Sequence, residues 1–164
     1  MSREQASVNS AQYYGPREVN EGLDNQVATY GLTRQRELYF DFEQANAGLP
    51  TANAEDDAGT LLIPANSFIT NAYLEVGTAF TSGGLATLEL GLQQADGTAI
   101  DADGLDTIAV AALTVGSWHV LDGALVQATV GTDDAQIAID DAVAVFTAGT
   151  GRLVIEYFEP YAEV

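Results

Sequence analysis

The recurring alternation of apolar and polar residues between residues 37 and 158 constrains the fold more than any other feature of the sequence. Successive side chains of a β-strand point to opposite faces, so such a run predicts a strand with one buried face. The first long run places Phe68, Thr70, Ala72, Leu74 and Val76 on one face, and the second places Ala86, Leu88, Leu90 and Leu92 on one face. Residues 81–84, which contain Gly83 and Gly84, lie between the runs and predict a hairpin turn.

Turn signals divide the rest of this region into short segments. Clusters of glycine, aspartate and asparagine separate further apolar runs, which predict strands at 37–43, 108–112, 116–121, 125–130, 135–139, 142–146 and 152–158. Residues 44–59 and the acidic residues 98–107 predict loops, and no long segment combines helical periodicity with capping residues. We therefore predict an all-β protein, a jelly-roll-like antiparallel β-sandwich of about eight strands.

Residues 1–36 differ from the rest of the chain and predict an extended N-terminal arm, which leaves residues 37–164 as the β-sandwich body. The segment is rich in polar residues, and its isolated apolar residues follow no sustained period. Such a composition cannot bury enough apolar surface to fold alone, so it forms either an arm that orders against a partner or a flexible tail. The adjacent Tyr13 and Tyr14 favour the arm, because aromatic rings anchor an extended segment at low entropic cost.

The chain is strongly acidic, and its charge is unevenly distributed. The formal net charge is −19, lysine is absent, and the five basic residues are Arg3, Arg17, Arg34, Arg36 and Arg152. All but four of the 24 acidic residues lie after residue 36, together with only one of the arginines. Such a body repels phosphate backbones and anionic membranes, which predicts neither a nucleic-acid partner nor a membrane partner. The charge indicates a solvated surface that resists aggregation, and binding of a divalent cation or a cationic surface is the alternative.

The absence of cysteine excludes disulfide bridges, thiolate metal sites and a cysteine nucleophile. No apolar run is long enough for a transmembrane helix, and the first residues lack the apolar core of a signal peptide. We therefore expect synthesis in the cytoplasm without export through the usual route, and we expect no cofactor.

Two small groups of residues carry side chains that metal binding or catalysis would need. Asp101, Asp103 and Asp106 have the spaced carboxylates of a calcium loop, but the EF-hand order with a distal glutamate is absent, so we expect no metal site. His119 is the single histidine and Ser117 could pair with it, but the sequence has no G-x-S-x-G elbow. We expect no enzyme and a structural His119 beside a packed Trp118, while Trp118 with the tyrosines as a sugar-binding platform is the alternative.

Four short segments together resemble a known family. Residues 62–76 read LIPANSFITNAYLEV, residues 78–80 read TAF, residues 86–91 read ATLELG, and residues 147–157 read TAGTGRLVIEY. This pattern resembles small structural proteins of tailed bacteriophages, namely capsid decoration (cement) proteins and the bases of head fibres. The resemblance covers about residues 37–158 and does not include the arm.

The resemblance implies a non-enzymatic virion structural protein that binds the major capsid protein on the outer surface of an assembled head and stabilises it. It further implies a homotrimer with an arm that reaches across capsomers. On this interpretation the arm residues that contact the capsid are Tyr13, Tyr14, Arg17, Arg34 and Arg36. The planar fork of arginine suits such contacts, because it can pair with a carboxylate through two hydrogen bonds. The alternative is a receptor- or carbohydrate-binding module of a phage fibre.

Overall fold

The structure, a computed structural model, describes residues 33–48 and 62–159. The strands in these residues are β1 (Thr33–Asp41), β2 (Leu62–Ile63), β3 (Phe68–Ser82), β4 (Thr87–Gln94), β5 (Ala99–Ala109), β6 (Trp118–Val120), β7 (Ala135–Ala142) and β8 (Phe146–Phe158). A short helix α1 (Phe42–Ala47) follows β1, and a 3-10 turn (Val110–Ala112) follows β5. Strand β1 begins before residue 37, where the sequence pattern predicts the first strand.

The strands form two four-stranded antiparallel sheets that make a sandwich. The strand order is β1-β8-β3-β6 in one sheet, called the β3 sheet, and β2-β7-β4-β5 in the other, called the β4 sheet. Thus β1 neighbours β8, β2 neighbours β7, β3 neighbours β6 and β4 neighbours β5, which is the pairing of one long hairpin rolled into two sheets. The predicted fold class, an all-β jelly-roll-like antiparallel β-sandwich, is confirmed.

The hydrophobic core consists of the inward-facing residues of both sheets. The β3 sheet contributes Ala72, Leu74, Val76, Leu153, Ile155 and Tyr157, and the β4 sheet contributes Leu88, Leu90, Leu92, Ile137 and Ile139. Phe80 and Phe146 extend this core, with ring centroids 5.1 Å apart in an edge-to-face arrangement. Each fully buried aliphatic side chain contributes roughly 1.5–3 kcal/mol, so the alternating runs supply the main driving force for folding.

The predicted hairpin between the two long runs is wrong. Strand β3 pairs with β6 and β8, whereas β4 pairs with β5 and β7, so the two strands belong to different sheets. Residues 83–86 carry the chain from one sheet to the other. Alternation fixes which side chains face the core, but the pairing partner is decided by contacts with strands that are distant in sequence.

An irregularity near the start of β3 changes which side chains are buried. The register with β8 shifts after Ile69, so that Ile69 is buried and Phe68 is 38% exposed. Such a shift moves the side chains on either side of it to opposite faces. The predicted inward positions of Phe68 and Thr70 are therefore wrong. Further along the strand the predicted inward residues are buried, namely Ala72, Leu74 and Val76.

Part of the loop predicted at 44–59 is helical. Helix α1 begins after Asp41, whose side chain accepts a hydrogen bond from the Gln44 backbone N–H at 2.9 Å. The Gln44 side chain accepts one from the Asp41 backbone N–H at 3.0 Å, which completes a capping box. This D-x-x-Q signal ends β1 at Asp41, so the strand predicted at 37–43 is two residues too long at this end. The rest of the predicted loop, residues 49–59, lies outside the described residues.

The acidic residues 98–107, predicted as a loop, form most of β5. Ala99, Asp101, Asp106 and Thr107 pair with β4, and this ladder supplies backbone hydrogen bonds that outweigh the low β-propensity of aspartate. The strand predicted at 108–112 is also wrong, because its first residues end β5 and Val110–Ala112 is a 3-10 turn.

Four more strand predictions differ from the structure. Residues 125–130 form no strand, because Gln127 has a φ of 63° and the left-handed region interrupts an extended chain. Only an isolated bridge between Phe68 and Thr129 remains there. The two strands predicted at 135–139 and 142–146 are replaced by β7, which continues through Asp140 and Asp141. Strand β8 begins at Phe146, earlier than predicted.

Candidate interaction surface

Four side chains form a row across the outward face of the β3 sheet. This aromatic row consists of Tyr39, Arg152, Glu75 and Trp118, from β1, β8, β3 and β6 in turn. Glu75 lies directly opposite Arg152 on one side and Trp118 on the other. Because Leu74 points into the core, its neighbour Glu75 points to solvent, and directly opposed residues of antiparallel strands share a face.

Arg152 is the centre of this row and contacts every other member. Its Nε and Nη2 lie 2.9 and 2.8 Å from Glu75 Oε2, and its Nη1 lies 3.6 Å from Glu37 Oε2. The guanidinium carbon is 5.9 Å from the Tyr39 ring centroid and 5.5 Å from the Trp118 ring centroid, within cation–π range. Hydrogen bonding with Tyr39, and then the charge of Glu75, raises the pKa of Arg152, so the guanidinium stays charged.

Exposed apolar side chains extend the row along the sheet. Trp118 is 57% exposed, Tyr39 is 67% exposed and Val120 is 72% exposed. Together with their neighbours on the same outward face they form the aromatic face, defined as Tyr39, Phe68, Tyr73, Trp118, Val120 and Phe158. Tyrosine, tryptophan and arginine are the residues enriched at the centres of protein interfaces, so this composition is that of an interaction surface.

A groove of about 430 Å³ runs beside Arg152. Its lining residues are Tyr39, Phe40, Asp41, Gln44, Glu75, Gly77, Thr150, Gly151 and Arg152. The groove brings together an aromatic ring, carboxylates, an amide and a guanidinium, so it can accept both apolar and hydrogen-bonding groups of a ligand.

The five residues predicted to contact a capsid are only partly within the described residues. Tyr13, Tyr14 and Arg17 lie outside them. Arg34 and Arg36 lie on β1. The Arg36 Nε donates to the Leu62 carbonyl oxygen at 3.1 Å, and its guanidinium carbon is 5.9 Å from the ring centroid of Tyr157. The hydrogen bond to Leu62 connects β1 of one sheet to β2 of the other, whereas the contact with Tyr157 lies between β1 and β8 of the same sheet.

Ser117 and His119 are in contact, but the hydrogen-bond direction between them is the reverse of that in a pair of nucleophile and base, in which the hydroxyl donates to the imidazole. Ser117 Oγ lies 3.1 Å from His119 Nε2 and donates its single proton to the Thr114 carbonyl oxygen at 2.7 Å. The Nε2 must therefore donate to Ser117, so it cannot accept the hydroxyl proton in this arrangement. The prediction of a packed Trp118 is wrong, because alternation along β6 places His119 opposite Leu74 and turns Trp118 to solvent.

The carboxylates considered for calcium lie on β5 and not on a loop. A side-chain hydrogen bond with Asp103, and then burial, raises the pKa of Asp101. Burial, and then the charge of Asp122, raises the pKa of Asp106. Within residues 33–48 and 62–159, no three histidine, aspartate or glutamate side chains are grouped so that they could hold a metal ion. In the same part of the chain, no helix is long and apolar enough to cross a membrane.

Comparison with known proteins finds similar structures but no similar sequence. No protein-family model and no curated protein sequence matches this chain. Its structure is similar to a chain in the acidic stable capsid structure of Helicobacter pylori bacteriophage KHP30, with a TM-score of 0.55, 15% identity, and coverage of 81% of this chain and 94% of that chain. At this identity the likeness shows a shared fold alone.

Two chains from other phage capsids align less well. One is from the capsid of Ralstonia phage GP4, with a TM-score of 0.45, 18% identity, and coverage of 62% of this chain and 71% of that chain. The other is from the capsid asymmetric unit of cyanophage Pam1, with a TM-score of 0.41, 15% identity, and coverage of 91% and 96%. These two TM-scores are too low to support an argument.

Proposed function

We propose that this chain is a structural protein of a phage virion and has no catalytic role. The observation that carries the proposal is the fold shared with a phage capsid chain over 81% of this chain and 94% of that one. A shared fold does not by itself fix a function, so the proposal also draws on the exposed aromatic face, which is suited to assembly.

Within the virion, we propose the role of a decoration (cement) protein, made in the host cytoplasm, that binds the major capsid protein on the outer surface of the assembled head as a homotrimer. A net charge of −19 favours this role, because it keeps a protein made in many copies soluble and monodisperse before it binds. A protein that binds only the assembled shell stabilises that state by mass action.

The N-terminal residues belong to the same proposal. Tyr13, Tyr14, Arg17, Arg34 and Arg36 would contact grooves between capsid subunits, and this segment carries most of the arginines that an acidic body lacks. Arg36 would do so through its remaining N–H groups, because its Nε donates to the Leu62 carbonyl oxygen.

Co-sedimentation of the purified full-length chain with empty expanded heads of its phage tests the proposal, with the solution mass measured by light scattering. We expect a trimer that pellets with heads at a saturable stoichiometry. The double variant Tyr13→Ala/Tyr14→Ala tests the arm, with circular dichroism as the control for folding, and should bind heads more weakly. A wild-type chain that stays in the supernatant at all head concentrations would refute the decoration role.

A carbohydrate-binding module of a phage fibre is the second candidate, and the exposure of Trp118 and Tyr39 favours it. Exposed aromatic rings can stack against the apolar face of a pyranose. A glycan array followed by titration calorimetry would identify such binding, and Trp118→Ala should then abolish it.

A further inference from the structure

We propose that the aromatic face is the surface through which this chain docks on a protein partner whose own surface presents basic side chains around an apolar centre. The inference rests on the proposed function, since it assigns to one face of the body the contact with the assembled head. It goes beyond that function by naming the surface and the chemistry of the partner.

The first argument is the composition and rigidity of the surface. Trp118, Tyr39 and Arg152 are of the residue types that dominate binding energy at interfaces, and they are adjacent on one sheet. Arg152 is held by Glu75 and by both rings, so little side-chain entropy is lost when a partner covers it. The surface is therefore preorganised for binding.

The second argument is the charge of the surface. Among the residues that the structure describes, its carboxylates are Glu37, Glu75 and Glu156, and its single cation is Arg152. Glu156 receives a hydrogen bond from Asn71 Nδ2 at 3.1 Å, which fixes a carboxylate on the same face. The face as a whole is acidic, so a partner that presents arginine or lysine is complementary to it.

The same charges argue against a second copy of this chain as the partner. A second copy would bring another set of these carboxylates, on a body that carries 20 of the 24 acidic residues of the chain. Juxtaposed like charges cost free energy at an interface, so self-association through this face is disfavoured.

The ring geometry favours a protein over a sugar. The Arg152 guanidinium lies over both the Tyr39 and the Trp118 rings, at 5.9 and 5.5 Å, and so occupies a face of each ring that a pyranose would need. The exposed apolar residues also continue to Phe68 and Phe158 at the far end of β3. An extended apolar surface of this kind fits a protein partner better than one sugar ring.

Two full-length variants test the assignment with empty expanded heads of the phage as the probe. Trp118→Ala should lower the affinity for heads, measured by co-sedimentation, by about thirtyfold, as for an interface hot spot. Leu85→Ala is the matched control, because Leu85 is 85% exposed and lies in the link between β3 and β4, away from the aromatic face. It should change binding by less than about twofold. Val120→Asp serves as a second face variant if Trp118→Ala does not fold.

Spectroscopy of the wild-type chain gives an independent readout. Trp118 is the single tryptophan, so 5-hydroxytryptophan incorporation labels the aromatic face alone and can be excited apart from ordinary tryptophan in the heads. Acrylamide should quench the label strongly in the free chain and weakly after binding to heads. Higher salt should weaken binding, because exposed charge pairs are screened.

The outcomes separate the two proposals. If the wild-type chain does not bind heads, the proposed function fails. If it binds heads and Trp118→Ala binds equally well, or if Leu85→Ala loses binding as strongly, only the inference fails. Shielding of the label that rises with protein concentration in the absence of heads would overturn it in favour of self-association. Displacement of the wild-type chain from heads by a monosaccharide would overturn it in favour of a sugar.

Discussion

The outward faces of the two sheets differ in chemistry although their inward faces are built alike. On the β3 sheet, Arg152 links two aromatic rings and two carboxylates. On the β4 sheet, Glu89 lies directly opposite Asp140, so like charges face each other in solvent. Both sheets bury leucine and isoleucine on the other side. The apolar inward faces thus specify the sandwich. The outward faces differ, because that of the β3 sheet is suited to contact with a partner and that of the β4 sheet is suited to solvation.

The outward faces of the two sheets also differ in whether neighbouring backbone lies over them. Gly91 of β4 points away from the core, and a Cβ added there would overlap the backbone carbonyl oxygens of Asp101 and Ala102. The irregular pairing of β4 with β5 brings the β5 backbone over this position. The β5 backbone therefore covers the outward face of the β4 sheet at Gly91, whereas the aromatic row of the β3 sheet is exposed to solvent.

Gly91→Ala should break this arrangement and have the largest effect on stability. The added methyl group meets backbone atoms that cannot rotate away, so we expect a loss of about 3 kcal/mol or more in the free energy of unfolding. Urea denaturation measures this loss. Gly83→Ala is the matched control, because a Cβ there meets no atom within 4 Å, and it should be nearly neutral. Equal stability of Gly91→Ala and wild type would show that β5 does not cover β4 as described.

Arg152→Met should have a smaller effect, confined to the β3 sheet. The variant keeps the aliphatic stem but leaves Glu37 and Glu75 without their shared cation, so the melting temperature should fall at neutral pH. The double variant Arg152→Met/Glu75→Gln should recover part of the loss, because it removes one of the two facing carboxylates. Thermal unfolding at low and high salt measures both effects. No recovery in the double variant would show that the carboxylates do not depend on Arg152.

The pH dependence of stability should differ in sign between two aspartates. The raised pKa of Asp106, caused first by burial, means that its contribution to stability is fully present below the ordinary aspartate pKa of about 3.9 and is lost as pH rises above that value through the raised pKa of the folded state. Asp106→Asn should therefore raise the melting temperature slightly at pH 7 and leave it unchanged in acid. The substitution keeps the acceptor that takes a hydrogen bond from the Thr107 N–H at 2.7 Å.

Asp96→Asn is the matched control with the opposite sign. A hydrogen bond from the Thr98 backbone N–H at 2.9 Å lowers the pKa of Asp96, so its contribution is present at neutral pH and is lost in acid. This variant should melt at a lower temperature than wild type at pH 7, and the difference should disappear as the carboxylate protonates. The same sign of effect in both variants would contradict the assignment of the two environments.

The sequence predicts the inward faces well because the alternation within a single strand decides which of its side chains face the core. Leu88, Leu90 and Leu92 are buried as their alternation predicts. Pairing partners are not predictable in the same way, since β3 and β4 are adjacent in sequence and yet lie in different sheets. Helix α1 lies where the alternation predicts a strand and then a loop, although the capping box of Asp41 and Gln44 is a signal for it in the sequence.

The candidate surface also depends on strand pairing, which the sequence does not predict. Alternation predicts Tyr39 on one face of its strand and Glu75 on one face of β3, and both are outward. Their position beside Arg152 and Trp118 depends on the registers of three strand pairs, which no local pattern encodes. The arginine-centred row is thus a product of the fold, and only its separate members can be proposed from the sequence.

Trp118→Ala should have only a small effect on stability, although it should have a large effect on binding. Trp118 is 57% exposed and its contact with Arg152 is a surface cation–π contact, so the loss should be no more than about 1 kcal/mol. Leu74→Ala, at the adjoining inward position of the paired strand, should cost about 2–5 kcal/mol, because it opens a cavity in the core. Urea denaturation of both variants distinguishes the two roles. A loss for Trp118→Ala as large as that for Leu74→Ala would make Trp118 a packing residue and would remove the contrast between the two faces of the β3 sheet.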